Sequence, residues 1–212
     1  MEPMTPMSDS SVRALEPDEA KAHLRATIRR ERLQRSERRR QEAAAALRDH
    51  VLALTSIQEA GCVSVYASRP HEPGTGPLIE ALHRRGIRVL IPMLGDGLQR
   101  GWGVYHGIED LVERAPGRPP EPSGEFLPST TLADADVIVV PALAVDTSGT
   151  RLGQGGGWYD RALMDARPSS PVIALTFANE VRDGAAEPLP RERHDLGVDM
   201  VITPEGAHSL PA

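Results

Sequence analysis

Cysteine is almost missing from this chain: Cys62 is the only one in 212 residues, so neither an intrachain disulfide nor a cysteine-rich zinc site can form. Its setting, CVSVY, reads as a buried, inert thiol and fits a reducing cytoplasm. Aromatic residues make up 3% and the formal net charge is -6, which leaves few platforms for stacking bases and no whole-surface attraction to nucleic acid. Long apolar runs are lacking too: residues 137–145 form the longest, well short of the roughly 18 that a membrane span needs. The first twenty residues carry acids and prolines where an export signal would have a basic start and an apolar middle. With 40% hydrophobic and 25% charged residues, the composition is that of an ordinary globular protein, and the length favours one α/β-sized domain.

What is present is unevenly spread. Residues 21–48, KAHLRATIRRERLQRSERRRQEAAAALR, are dense in arginine and hold Lys21, the one lysine of the chain. Apolar residues at helical spacing, Leu24 and Ile28 and then Leu47, Val51, Leu52 and Leu54, predict two helices joined by a short break with Ser36 as N-cap. Lys21 and Arg25, four apart, share one helical face. That pair of cations could hold a polyphosphate; it could equally belong to a solvated helix laced with Arg–Glu pairs, or to an RNA-binding hairpin.

Beyond the hairpin the period changes. CVSVYA (62–67), RVLIP (88–92), VIVVP (137–141), VIALT (172–176) and MVIT (200–203) are short, mostly apolar and β-branched, as strands buried on both faces should be. PLIEALHRRG (77–86) between the first two has helical spacing and a glycine stop, completing a βαβ unit. The fold class that follows is α/β: a mostly parallel, Rossmann-like open sheet flanked by helices and preceded by an N-terminal helical hairpin. Residues 95–135, rich in Gly and Pro, form a long excursion that either wanders over the surface or walls the site. Residues 1–18 are expected to be a disordered leader, 19–205 one domain, and 206–212 a poorly held tail.

The richest chemistry lies at 141–161, PALAVDTSGTRLGQGGGWYDR, where a strand leads into a glycine loop and the loop into a helical segment. Backbone N–H groups there could cradle an anion, or the glycines could simply make a flexible turn. The P-loop and dinucleotide fingerprints are both absent, since no Gly-Lys-Ser/Thr follows and Trp158 stands where GxGxxG needs glycine. Arg151 before the loop and Asp160 after it favour the anion cradle. Glu72 follows the first strand, where α/β proteins place ligands, although a solvent-facing loop acid would look the same. Trp102, between two glycines, offers a stacking surface or merely covers the core. His194 beside Asp195 has no second histidine at ligand spacing and would stand behind the site at most. Arg161 could reach phosphate or pair with Asp165.

The stretch VIVVPALAVDTSGTRLGQGGGWYDRAL (137–163) resembles the signature of the 5-formyltetrahydrofolate cyclo-ligase family, also called methenyltetrahydrofolate synthetase. KAHLR (21–25), SVYASRPHEPGT (64–75) and LPRERHDLGVDMVIT (189–203) agree in order, so the resemblance runs over about residues 20–204. Trp158 stands where the family usually has Tyr, and Gly156 where some members carry Lys.

The resemblance implies an ATP- and Mg²⁺-dependent closure of 5-formyltetrahydrofolate to 5,10-methenyltetrahydrofolate through phosphorylation of the formyl oxygen, releasing ADP and phosphate. Such chemistry needs charge neutralisation and alignment more than a covalent nucleophile. It further implies Arg151 and Lys21 as catalytic cations. ATP would lie on Lys21, Arg25, Arg151, Gly153, Gln154, Gly155, Gly156, Gly157 and Tyr159. The folate would lie on Ala67, Glu72, Trp102, Gly155, Gly157 and Trp158, and Asp160 with Asp195 would hold Mg²⁺. Partners would be these small molecules alone, with no nucleic acid or membrane, and the chain a monomer. A non-catalytic nucleotide- and folate-binding relative of the same fold is the alternative.

Overall fold

The computed structural model describes residues 16–211 except residue 193. The expected hairpin is there, as α1 (Pro17–Leu33) and α2 (Glu37–Leu52). Pro17 at the first position and Asp18 and Glu19 in the first turn suit the start of α1, because the missing proline N–H would be unpaired there and acids complement the helix dipole. The Ser36 hydroxyl accepts the Arg39 N–H at 3.4 Å and caps α2 as predicted. Of the leader expected over 1–18, residues 1–15 lie outside the described residues and residues 17–18 already belong to α1.

The main sheet has eight strands, and all five predicted runs are in it. β1 (Cys62–Val65) pairs in parallel with β2 (Arg88–Leu94) on one side and with Val137–Pro141 on the other. Val172–Leu175 and Met200–Thr203 extend the parallel set beyond Val137–Pro141. Alternate residues serve opposite faces, which is why the strands are apolar without a break. Val63, Val65, Val89, Ile91, Val137, Val139, Ile173 and Leu175 pack with Leu47 and Val51 of α2 and with Leu78, Ile79 and Leu82 of the Gly76–Arg84 helix. Leu90, Ile138, Val140, Ala174 and Val201 pack on the other face with Trp102, Leu132, Ala162 and Leu163.

Two segments differ from expectation. The tail from Gly206 is a strand, Gly206–Ser209, paired antiparallel with Met200–Thr203 at the sheet edge. Its polar, exposed side chains hid it from a hydrophobic pattern, and its order comes from backbone ladder bonds. In the 95–135 excursion, β3 (Arg100–Val104) pairs antiparallel with β2, and Leu127–Pro128 pairs with β3. The excursion is therefore partly sheet.

The chain runs outward from β1 through β2 and β3, returns to the other side of β1 at Val137–Pro141, and then runs outward the opposite way. This reversal makes a crevice at the carboxyl ends of β1 and Val137–Pro141, the usual ligand position in open α/β sheets. A small three-stranded sheet of Val181–Arg182, Ala144–Asp146 and Arg151–Leu152 stands beside it. Leu24 and Ile28 of α1 pack on Leu143, Ala144, Leu152 and Leu189, which lays α1 against this small sheet.

Candidate active site

A cavity of about 870 Å³ opens at that crevice, within the size range of ligand pockets. Lys21, Arg25, Ala67, Glu72, Arg151, Gly153, Gln154, Gly155, Gly156, Gly157, Trp158, Tyr159, Asp160 and Asp195 all line it, so residues from four separated segments converge on one cleft.

The hairpin of Ala144–Asp146 and Arg151–Leu152 turns on Asp146, whose carboxylate accepts the N–H groups of Ser148, Thr150 and Leu189, each at 3.0 Å, and the Ser148 hydroxyl at 2.6 Å. Burial works to raise the Asp146 pKa, but these bonds outweigh it and hold the carboxyl below its ordinary value. The turn brings Arg151 back to the cleft. Its side chain is 2% exposed and donates to Asp160 Oδ1 at 2.7 Å, while its Nε has no partner among the described residues.

The glycine loop follows. Gly155 (φ +99°) and Gly157 (φ +59°) take left-handed conformations, and a Cβ on Gly153 would stand 2.8 Å from an Arg151 nitrogen. Arg25 Nε donates to the Gly153 carbonyl at 3.0 Å and Arg29 Nη2 to the Gln154 carbonyl at 2.8 Å. Since the peptides are trans and planar, pulling these carbonyls toward α1 turns the N–H groups of Gln154 and Gly155 the opposite way. Among the described residues Arg161 makes no ion pair with Asp165 and donates to the Gly156 carbonyl at 2.7 Å. The following helix, Trp158–Ala162, has only five residues, so the loop amides and nearby cations carry the positive potential rather than a helix dipole.

Lys21 crosses from α1 to the C-terminal segment. Its amine, 4% exposed, lies 2.5 Å from Glu192 Oε2 and 2.6 Å from Asp195 Oδ2. Burial works to lower the Lys21 pKa, yet the hydrogen bonds and charges of Asp195 and Glu192 prevail and raise it. Burial would raise the Asp195 pKa, but Lys21 and the Glu192 N–H, at 2.7 Å, hold it low. His194, mostly exposed, lies 3.9 Å from both carboxylates. Among the described residues, Glu192, His194 and Asp195 form a group whose candidate ligand atoms lie within 4.8 Å of one another; Asp160 is outside it, with Oδ1 shared by Arg151 and the Leu196 N–H.

Glu72 Oε2 accepts the Arg69 N–H at 2.8 Å and Oε1 accepts the Gln154 side-chain amide at 2.9 Å, which sets this carboxylate beside the glycine loop. Burial, reinforced by the Glu72 charge, pushes the Tyr159 phenol far above its ordinary pKa, and its hydroxyl has no partner among the described residues. Trp102 is a correction. It is 1% exposed in the middle of β3, donates to the Ser129 carbonyl at 3.1 Å, and does not line the cleft. Its flanking glycines mark close packing rather than a loop, since a Cβ on Gly101 or Gly103 would run into Phe126 or Met93. Its ring stands edge-on to that of Trp158, which does line the cleft, at 5.2 Å.

Sequence reasoning missed Glu192, Arg29 and the buried Arg32–Glu180 pair. Arg32 grips both Glu180 oxygens, at 2.8 and 2.7 Å, and the Ala142 carbonyl at 2.6 Å, fixing α1 to the loops at the carboxyl edge. Lys21, Arg25, Arg29 and Arg32 follow one another at spacings of four, four and three, one stripe along α1. That stripe was visible in the sequence. The excursion also walls the cleft, through Gly117, Arg118, Pro119 and the nearly buried Glu121.

Residues 17–204 match the 5-formyltetrahydrofolate cyclo-ligase family. The 5-formyltetrahydrofolate cyclo-ligase of Mycolicibacterium smegmatis is 37% identical over 192 residues, covering 88% of this chain and 94% of that protein. The cyclo-ligase of Escherichia coli K12 is 32% identical over 184 residues, covering 84% and 96%. Among solved structures, the 5,10-methenyltetrahydrofolate synthetase of Aquifex aeolicus superposes with a TM-score of 0.76 at 25% identity, covering 91% of this chain and 93% of that one.

Proposed function

Because this chain belongs to the 5-formyltetrahydrofolate cyclo-ligase family, we propose that its cleft converts 5-formyltetrahydrofolate and ATP to 5,10-methenyltetrahydrofolate, ADP and phosphate. One observation carries the reading: Lys21, Arg25 and Arg151 converge with the glycine loop on one cleft that Glu72 also lines. One end is built for phosphate oxygens. The other offers a carboxylate acceptor to the N–H-rich edge of a reduced pterin.

In this reading Arg151, aimed by Asp160, and Lys21, held by Glu192 and Asp195, face the charge that builds on the transferring phosphoryl group. The loop amides align the phosphate chain, and Arg25 fixes the loop. Glu72 and Trp158 orient the folate, with Ala67 giving close approach at the end of β1. Buried apolar walls keep water from competing with the folate's second nitrogen for the activated formyl carbon. The acidic group of Asp195 and Glu192 suits Mg²⁺, a hard cation that takes one or two carboxylates and completes its shell with phosphate oxygens and water. When bound it would neutralise phosphate charge. Asp160, committed through Oδ1 to Arg151, has Oδ2 left for that role.

The same reading has the chain working as a monomer in the cytoplasm, on small molecules alone. No helix among the described residues is long and apolar enough to cross a membrane. Three arginines of α1, Arg25, Arg29 and Arg32, are engaged with Gly153, Gln154 and Glu180. The test is absorbance of the methenyl product on mixing protein, 5-formyltetrahydrofolate and MgATP. Product that depends on both ATP and Mg²⁺ is expected. Binding of both ligands without turnover would establish the non-catalytic alternative.

A further inference from the structure

Both oxygens of Glu72 are already engaged in the free protein, one by the Arg69 backbone and the other by Gln154 Nε2. A carboxylate offers about four lone-pair directions, so two bonds leave room for substrate donors while fixing the plane in which those donors must approach. Gln154 is itself held, since its side-chain oxygen accepts from Arg29 Nε at 3.2 Å and Nη2 at 3.0 Å, and its carbonyl accepts from Arg29 Nη2. These bonds are solvent-exposed and orient the amide without locking it: its oxygen faces the Arg29 guanidinium and its nitrogen faces Glu72. An unbroken line of hydrogen bonds runs from α1 through the glycine loop to the pterin-side wall. Gln154 contributes to both ends, its backbone to the loop and its side chain to Glu72.

We propose that Gln154 is a positioning residue that couples the two ligand sites: phosphates seated on the loop fix the Gln154 backbone, and its side-chain amide thereby fixes the Glu72 carboxylate for the folate. This rests on the function proposed above and specifies how the two halves of that cleft communicate. The coupling is a property of this linkage and not of area buried. Removing the amide should uncouple the sites.

The experiment measures the dissociation constant of 5-formyltetrahydrofolate with and without a non-hydrolysable ATP analogue and Mg²⁺, for the unmodified protein and for Gln154→Leu. Gln154 is partly exposed, and leucine keeps its approximate size, so folding should be preserved. In the unmodified protein the analogue should tighten folate by about fivefold or more, and folate should tighten the analogue by the same factor. In Gln154→Leu that factor, read as the ratio of folate dissociation constants without and with saturating analogue, should fall to about one. Arg29→Ala, which leaves the amide free to turn, should give an intermediate factor. A coupling factor of one in the unmodified protein, or a factor unchanged by Gln154→Leu, overturns the proposal. Failure of the unmodified protein to bind 5-formyltetrahydrofolate overturns instead the function on which it rests, and the proposal with it.

Discussion

Replacing Arg151 by methionine keeps most of its stem and deletes the guanidinium. The side chain is 2% exposed, so its charge acts through protein rather than water, and its aim is set by the 2.7 Å bond to Asp160. Removing one such preorganised charge-stabilising donor costs about 2–4 kcal/mol in the transition state. At 1.36 kcal/mol per decade this is a fall in kcat of about 30- to 900-fold. The methionine variant also leaves Asp160 without its cation, but Asp160 is 19% exposed and can recruit water, so the stability loss should be about 1–3 kcal/mol. Initial rates of methenyl formation, followed by absorbance over a range of MgATP, separate kcat from KM. Arg151→Lys should recover little, because a single ammonium cannot reproduce the planar fork. Asp160→Asn, which keeps the cation and loosens its aim, should lose less than Arg151→Met. An unchanged kcat/KM in Arg151→Met would refute the assignment of Arg151 to the phosphoryl end.

Lys21→Met should raise the KM for MgATP by about tenfold or more, since it removes a cleft cation and leaves Glu192 and Asp195 facing each other without it; MgATP titration of the initial rate checks this. Trp102→Phe should lower Tm through a small cavity and an orphaned Ser129 carbonyl, a cost of about 1–3 kcal/mol, while the KM for 5-formyltetrahydrofolate stays within about twofold. Asp146 governs acid stability. Its folded pKa lies below the ordinary 3.8, so its contribution is complete above that value and is lost as pH falls through the folded one. Asp146→Asn should therefore lower Tm at neutral pH, and the gap to the unmodified protein should close in strong acid, as thermal melts across pH would show.

The parallel strands were legible because a strand buried on both faces leaves an apolar run no loop needs, and the α1–α2 break because Ser36 is a cap. Lys21, Glu72, Arg151 and the glycine loop were legible through a resemblance in their spacing, whereas Arg29 and Glu192, which also line the cleft, were not. Trp102 was misread because a tryptophan between glycines looks like a loop when the Phe126 and Met93 that exclude a Cβ there cannot be seen. Gly206–Ser209 was missed because an edge strand can be held by its backbone alone. The Arg32–Glu180 pair joins residues 148 positions apart, and nothing in one sequence says which arginine of a basic helix is the buried one.

The only lysine of the protein is among its least accessible side chains, 4% exposed and gripped by two carboxylates. Side-chain chemistry directed at primary amines thus has a single address, and that address is the clasp between α1 and the C-terminal segment. A raised pKa keeps the amine protonated and so a poor nucleophile while the clasp is shut. Acylation of Lys21, read by peptide mass, then reports how often α1 lifts from the cleft, and bound MgATP should slow it. Acylation at the Lys21 side chain, unlike acylation of the α-amino group, would select for molecules caught open and lock them so.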